Sequence, residues 1–252
     1  MMRLAGRRCL VTGAARGIGR AVAHKMAEHG ARVAVTDIDG EAAGEVARSI
    51  GEAAVAIELD VTDAAAWGRA VDAAEQALGG LDVLVNNAGI CIPGTVEQLD
   101  EADWDLTMDV DLKSVFLGCR AALPALARYA PASIVNMSSI SGLIAGHNMA
   151  AYNAAKAGVH LLTKSVALHA ARRRYGVRCN SVHPAFVDTG MIDDLAKGAD
   201  AGEIRAKLAG QVPLGRIGTA DDVAWAVVYL ASEESAFMTG AEIKLDGGLS
   251  AM

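Results

Sequence analysis

Short apolar runs of strand character alternate with helical patterns from one end of the chain to the other. Arg8 to Thr12 reads as a strand and Gly17 to His29 as a helix closed by Gly30. Arg32 to Thr36 is a second strand, followed by a helix from Glu41 to about Ile50. Ala54 to Leu59, a helix over Asp63 to Leu78, and Leu81 to Val85 continue the series. One long helix is expected over Asp100 to Arg128, then a strand over Ser133 to Met137, a helix over Ala150 to Arg174 and a strand over Val177 to Val182. The Asp188 to Gln211 stretch, polar and rich in Gly and Ala, is given no regular structure. A helix over Ala220 to Ala231 and a strand over Glu242 to Leu245 follow. Strands that alternate with helices cross over right-handedly, pair in parallel and lie buried beneath helices on both faces.

The expected class is therefore α/β, a doubly wound parallel sheet of about seven strands with helices on both faces. Residues 1–252 form a single domain, because no Pro/Gly/Ser linker and no internal repeat divides them. At 52% hydrophobic and 21% charged the chain can bury a sizeable core. Only 4% of residues are aromatic, so Ala, Val, Leu and Ile must fill it. The net charge of −7 is spread along the sequence, which argues against nucleic acid as a partner. The basic run Arg172 to Arg174 falls at a helix end, where cations complement the dipole. Cys9, Cys91, Cys119 and Cys179 lack CxxC or CxxH spacing, so no metal site is expected; all four read as packing residues in strands, helices or strand edges. No stretch of about 18 uncharged apolar residues occurs, so the protein is expected to be soluble and cytoplasmic, with no membrane partner.

Thr12-Gly13-Ala14-Ala15-Arg16-Gly17-Ile18-Gly19 joins the first strand to the first helix. Glycines there allow a tight turn and a close backbone approach to a pyrophosphate, which the helix N-terminus favours electrostatically. The strand–turn–helix context makes this a Rossmann-type dinucleotide site. Asp37 ends the second strand, where a carboxylate can accept hydrogen bonds from the adenosine ribose and repel a 2′-phosphate. The alternative is an ordinary helix-capping aspartate. Tyr152 and Lys156 are four apart on one helix face. A lysine ammonium beside a phenol favours the phenolate, as a base for an alcohol proton requires. Ser139 ends the fifth strand and can stabilise charge on a substrate oxygen. It lacks the GxSxG turn of a serine hydrolase. His160 and His169 read as surface or packed residues; His147 precedes the catalytic helix and is a candidate for the substrate pocket.

The GxxxGxG spacing, Asn86-Asn87-Ala88-Gly89, Ser139 with Tyr152-x-x-x-Lys156, His183-Pro184-Ala185 with Thr189, and Asp246-Gly247-Gly248 together resemble the short-chain dehydrogenase/reductase family, in its order and over nearly the whole chain. The resemblance implies a catalytic set of Ser139, Tyr152 and Lys156, with Asp111 at the place of its fourth member. It also implies a cofactor site built from Gly13, Arg16, Gly17, Ile18, Gly19, Asp37, Ile38, Asp60, Val61, Asn87, Ala88, Gly89, Tyr152, Lys156, Pro184, Val187 and Thr189. Asp60 and Val61 would flank adenine, and Val187 and Thr189 the nicotinamide carboxamide. Asn86 and Asn87 could otherwise be turn formers. NAD is the expected cofactor on the strength of Asp37, although Arg16 could contact a 2′-phosphate. The implied activity is hydride transfer between NAD and a secondary alcohol or ketone, in the manner of hydroxysteroid or cyclic-alcohol dehydrogenases. The alternatives are an NADPH-dependent 3-ketoacyl-type reductase and a non-catalytic dinucleotide-binding protein.

Two positions depart from the family pattern. Ala185 replaces a glycine, and Asp111 replaces an asparagine that, in the family, supports a water relay to the catalytic lysine. Asp111 is nearly isosteric but brings negative charge towards Lys156 and Tyr152. Residues 188–211 resemble a substrate lid, with Met191, Ile192, Leu195 and Leu208 as apolar lining. Family members are commonly tetramers, so a homotetramer is expected, with Leu117, Ala121, Leu161 and Leu168 on the pairing helices.

Overall fold

A computed structural model describes residues 2–196 and 200–252, without the side chains of 194–196. Its seven strands are β1 (Arg8–Thr12), β2 (Arg32–Asp37), β3 (Ala54–Glu58), β4 (Val83–Asn86), β5 (Ala132–Met137), β6 (Val177–Pro184) and β7 (Glu242–Leu245). All neighbours pair in parallel, in the order β3-β2-β1-β4-β5-β6-β7. The winding therefore reverses between β1 and β4, where an open α/β sheet forms its ligand crevice at the carboxyl ends of the strands.

Strand residues sort by parity onto two buried layers. Cys9, Val11, Val33, Val35, Val83 and Val85 face one, packed with α1 (Gly17–Glu28), α2 (Gly40–Ile50) and α9 (Ala220–Ala231). Leu10, Ala34, Leu84 and Ile134 face the other, against α3 (Ala64–Leu78), α5 (Ser114–Arg128) and α6 (Ala150–Arg173). Small side chains dominate both layers, as the aromatic-poor composition requires. Between sheet and α6 a buried polar chain crosses this layer: Asn86 Nδ2 donates to Asn136 Oδ1 at 2.8 Å, and Asn136 Nδ2 donates to Thr163 Oγ1 at 2.9 Å. Asn86 is thus a strand residue tied across β4 and β5, not a turn former.

Four expectations need correction. The helix expected over Asp100 to Arg128 is interrupted: α4 (Glu101–Met108) and α5 are joined by a π-turn at Asp109–Lys113. A π-turn inserts one residue, so the face presented downstream rotates by about 100°. Leu117 consequently lies in the core at 5% exposure, while Phe116 takes the solvent-facing position. Cys91 belongs to no strand or helix but to the loop after β4, half-buried; Cys9, Cys119 and Cys179 are buried packing residues as expected. Finally, the stretch after β6 contains two helices, α7 (Gly190–Ala196) and α8 (Ala201–Ala209), the second capped by the Asp200 carboxylate. Residues 197–199, part of the expected lid, lie outside the described residues, as does the Leu195 side chain.

Candidate active site

The crevice is assembled from the carboxyl ends of β1, β2, β4, β5 and β6. Thr12 and Asn87 close its floor. The Thr12 hydroxyl accepts the N–H groups of Asn87 and Ala88 at 2.9 and 3.0 Å. Asn87 Nδ2 in return donates to the carbonyls of Thr12 and Gly13 at 2.8 and 3.1 Å. Gly13 has φ +60°, and a Cβ there would stand 2.8 Å from Ala88 Cα; a Cβ on Gly19 would collide with the Gly13 carbonyl. The loop therefore closes only with glycine at both places. Arg16 forms the extended N-cap of α1 and is exposed, with Gly17, Ile18 and Gly19 in the first turn behind it.

The second wall comes from the segment after β6. Pro184 ends that strand, and Val187 pairs with Gly218 in an isolated parallel bridge. Thr189 lies opposite the glycine loop, its Cβ and Cγ2 3.7 Å from where a Gly17 Cβ would stand. Beyond Thr189, Arg205 of α8 ties Asp188 (2.7 Å) to Asp193 (2.8 Å), which fastens α8 to the base of α7. Ile192 is buried, Met191 exposed and Leu208 half-buried.

At the far end of β2, Asp37 Oδ2 accepts the Ala15 N–H at 3.0 Å and Oδ1 the Asp39 N–H at 3.2 Å. Each oxygen keeps a lone pair for another donor. The helix cap of α2 is Asp39, whose carboxylate accepts the Ala42 N–H. The capping alternative for Asp37 is thereby answered: the carboxylate belongs to the loop. Ile38 beside it is exposed. Asp60 follows β3 at the same edge, accepting the Thr62 N–H and hydroxyl through Oδ1, and Val61 packs into the core below. A glycine cradle under a helix N-terminus, with a strand-end carboxylate beside it, fits a dinucleotide's pyrophosphate and ribose.

Ser139, Tyr152 and Lys156 come together across β5 and α6. Ser139 follows β5 and caps a short 3-10 turn, its Oγ accepting the Ser141 N–H at 3.1 Å. Lys156 is buried, with Nζ donating to the Met137 carbonyl at 3.3 Å and standing 5.5 Å from the Tyr152 ring centre. Burial pushes the Tyr152 phenol above its ordinary range; Lys156 pulls it down, Asp111 and Cys91 push it up, and Ser139 opposes them.

Asp111 occupies the π-turn and is 0% exposed. Its Oδ1 accepts the Ile90 N–H at 2.8 Å, and its Oδ2 meets Lys156 Nζ at 3.1 Å. The Oδ2 contact lies off the hydrogen-bonding direction, so it is an ion pair rather than a directed bond. Where the family pattern implies a relay through water, this chain places a carboxylate directly on the lysine. Gly89 lies against the same two groups.

Two neighbours of Ser139, Tyr152 and Lys156 have no role at the site legible in the sequence. Cys91 Sγ touches Met149 Sδ at 3.7 Å, just before the Tyr152 helix, and burial with the Asp111 charge pushes its thiol up to about 11. His183 is buried, with Nδ1 3.0 Å from the Ser139 carbonyl and Nε2 2.8 Å from Ser181 Oγ. Burial in the first place holds its imidazole below the usual value. Neither had a periodic or spacing signal of its own. His147 is exposed in the loop before α6, and His169 is exposed on α6. Among the described residues no group of three His, Cys, Asp or Glu could hold a metal, and no helix is long and apolar enough to cross a membrane.

Known proteins resemble the chain throughout. A family model described as enoyl-(acyl carrier protein) reductase matches residues 13–250. The NADP-dependent (R)-specific alcohol dehydrogenase of Lentilactobacillus kefiri is 40% identical, over 99% of this chain and 98% of that one. The trans-4-hydroxycyclohexanecarboxylate dehydrogenase of Sinomonas cyclohexanicum is 43% identical, over 99% and 95%. The 3-alpha-(or 20-beta)-hydroxysteroid dehydrogenase of Mycobacterium tuberculosis is 42% identical, over 98% and 90%. A crystal structure from Sinorhizobium meliloti 1021, described as that of a "putative short-chain alcohol dehydrogenase", matches with a TM-score of 0.91 at 34% identity, covering 99% of this chain and 98% of that one. The chain belongs to the short-chain dehydrogenase/reductase family and is an alcohol oxidoreductase that works with a nicotinamide dinucleotide.

Replacement of Tyr152 by Phe keeps the ring and removes the hydroxyl. It should lower kcat by about 10²–10⁴-fold, the usual worth of a general acid–base, with dinucleotide affinity nearly unchanged. Steady-state kinetics with calorimetric binding checks this; near-parental turnover would exclude Tyr152 from proton transfer.

Proposed function

We propose that the enzyme interconverts a hydrophobic secondary or cyclic alcohol and its ketone, with NAD(H) as cofactor. The convergence of Ser139, Tyr152 and Lys156 at the mouth of the dinucleotide crevice carries this reading. Tyr152 takes the hydroxyl proton in oxidation and gives it to the carbonyl oxygen in reduction. Ser139 Oγ donates to the same oxygen as charge develops there. Lys156 holds positive charge beside the phenol, and Asp111 positions that lysine. When bound, the dinucleotide accepts or supplies the hydride. Gly13, Gly17, Gly19 and the first turn of α1 would hold its pyrophosphate, Asp37 its ribose, Asn87, Ala88 and Gly89 the crevice floor, and Val187 and Thr189 the nicotinamide wall.

Residues 188–211 are the substrate lid in this reading, with Met191, Ile192 and Leu208 as its apolar side. The wall beside Tyr152, where Cys91 and Met149 meet, is equally soft and apolar. Relatives named for cyclohexane-ring and steroid alcohols suit such a surface. The four free cysteines fit a reducing compartment, and we place the enzyme in the cytoplasm. Leu161 and Leu168 of α6 and Phe116 of α5 lie exposed on the long helices, an apolar surface suited to symmetric pairing in a homotetramer. Static light scattering at micromolar concentration should return four chain masses; a monomer would contradict it.

One relative is named for NADP, so the NAD assignment rests on Asp37 and its freedom from a capping role. Its charge stands at the strand end where a 2′-phosphate would fall, whereas Arg16 is the residue that could attract one. We expect kcat/KM at least about tenfold higher with NAD than with NADP, a difference of about 1.4 kcal/mol. Equal efficiency with both would show that Arg16 prevails.

A further inference from the structure

The proton-transfer scheme above needs a charged Lys156 beside Tyr152, yet the structure gives that lysine a second partner. The π-turn turns Asp111 inward, so that its carboxylate is fully buried, fixed by the Ile90 N–H on one oxygen and against Lys156 Nζ at 3.1 Å on the other. Burial pushes the Asp111 carboxyl above its ordinary range, and Lys156 and the Ile90 N–H pull it back down. Burial likewise disfavours the lysine's charge, and Asp111 more than restores it. The 3.1 Å contact and the directed N–H keep the buried carboxyl as the lysine's charged partner. The lysine's positive charge is thus spent partly on a carboxylate before it can act on the phenol. A phenolate at Tyr152 would face not an isolated ammonium but the near end of a neutral ion pair.

We propose that Asp111, through its contact with Lys156, holds the Tyr152 phenol up, so that this pair, and not Lys156 alone, sets the pH at which alcohol oxidation rises. The proposal rests on the reading of Tyr152 as the acid–base group. In reduction the carbonyl carbon would gain the hydride that a bound reduced dinucleotide supplies. The Tyr152 O–H bond breaks as its proton forms the new hydroxyl, and solvent returns a proton to the phenolate. Oxidation runs the same bonds backwards and needs the phenolate at the start.

Other groups around the phenol do not undo this balance. From the loop after β4, Cys91 is held neutral by burial and the Asp111 charge, its thiol pushed up to about 11. From β5 come the Met137 carbonyl and the Ser139 hydroxyl. From β6, His183 lies behind the Ser139 carbonyl, and burial disfavours its charged form. Asp109 and Lys113, on the same π-turn, satisfy each other at 2.9 Å on the exposed side. From α6, Lys156 lowers the phenol, and burial with Asp111 outweighs it.

The direct test is an ultraviolet titration of the tyrosinate band in the dinucleotide-free protein. Subtracting the Tyr152→Phe protein isolates this phenol from Tyr129, Tyr175 and Tyr229. The expected midpoint lies at or above that of a free phenol, and it should fall by about one unit or more in Asp111→Asn. Rates of cyclohexanol oxidation and cyclohexanone reduction are measured in parallel. In Asp111→Asn the alkaline rise of oxidation and the alkaline fall of reduction should both move to lower pH by the same amount. A wild-type midpoint below that of a free phenol, or the same midpoint in both proteins, overturns the proposal; the second outcome would mean that the carboxylate is protonated and behaves as an amide. Should Asp111→Asn fail to fold, the wild-type midpoint still decides. Should neither substrate turn over, the titration still reads the ion pair, separately from the functional reading.

Discussion

Everything at the site depends on how the ends of β1 and β4 are tied together. Parallel strands that diverge at a winding reversal leave a crevice, and a crevice holds a ligand only if its floor is rigid. Thr12 and Asn87 supply that rigidity with four hydrogen bonds between a strand end and the loop facing it. The glycine turn is then pressed so close to Ala88 that side chains are excluded from its inner face. From this fixed floor the Asp37 carboxylate is braced by the Ala15 N–H. On the β4 side the chain continues through Gly89 and Ile90, whose N–H anchors Asp111. The nucleotide wall and the proton-handling wall therefore share one scaffold.

Much of this was legible in residue order. Short continuous apolar runs located every strand, since a parallel strand is buried on both faces. The glycine turn, Asp37, Ser139, Tyr152 and Lys156 stood out because each needs a particular place relative to a strand end or helix face. The π-turn at Asp109–Lys113 was not legible. Helical periodicity runs up to it from both sides, and one inserted residue changes only the phase. The shift exchanges the roles of Phe116 and Leu117, which is why the expected interface position proved to be core. The helices α7 and α8 were missed for another reason. Their sequences mix Gly, Ala and charge, and α8 has no buried residue, so no apolar stripe announces it.

The inward turn of Asp111 ties this phase change to chemistry. A regular α-helix through the segment would present residue 111 at a different angle, whereas the widened turn puts its carboxylate between Ile90 and Lys156. Functional π-turns have this character: local hydrogen bonding is given up for the placement of one side chain. Cys91 and His183 belong to the same neighbourhood, but through loop and core packing that no sequence spacing encodes.

The central claim is that a hydride passes between a secondary alcohol carbon and the dinucleotide in this crevice. The most direct measurement incubates the protein with oxidised NAD and cyclohexanol carrying deuterium on its carbinol carbon, then follows the nicotinamide by NMR. The account predicts one deuterium at C4 of the ring, on a single face, at alkaline pH. Bound NAD that acquires no deuterium from this alcohol, or from a labelled hydroxysteroid offered in its place, would contradict it.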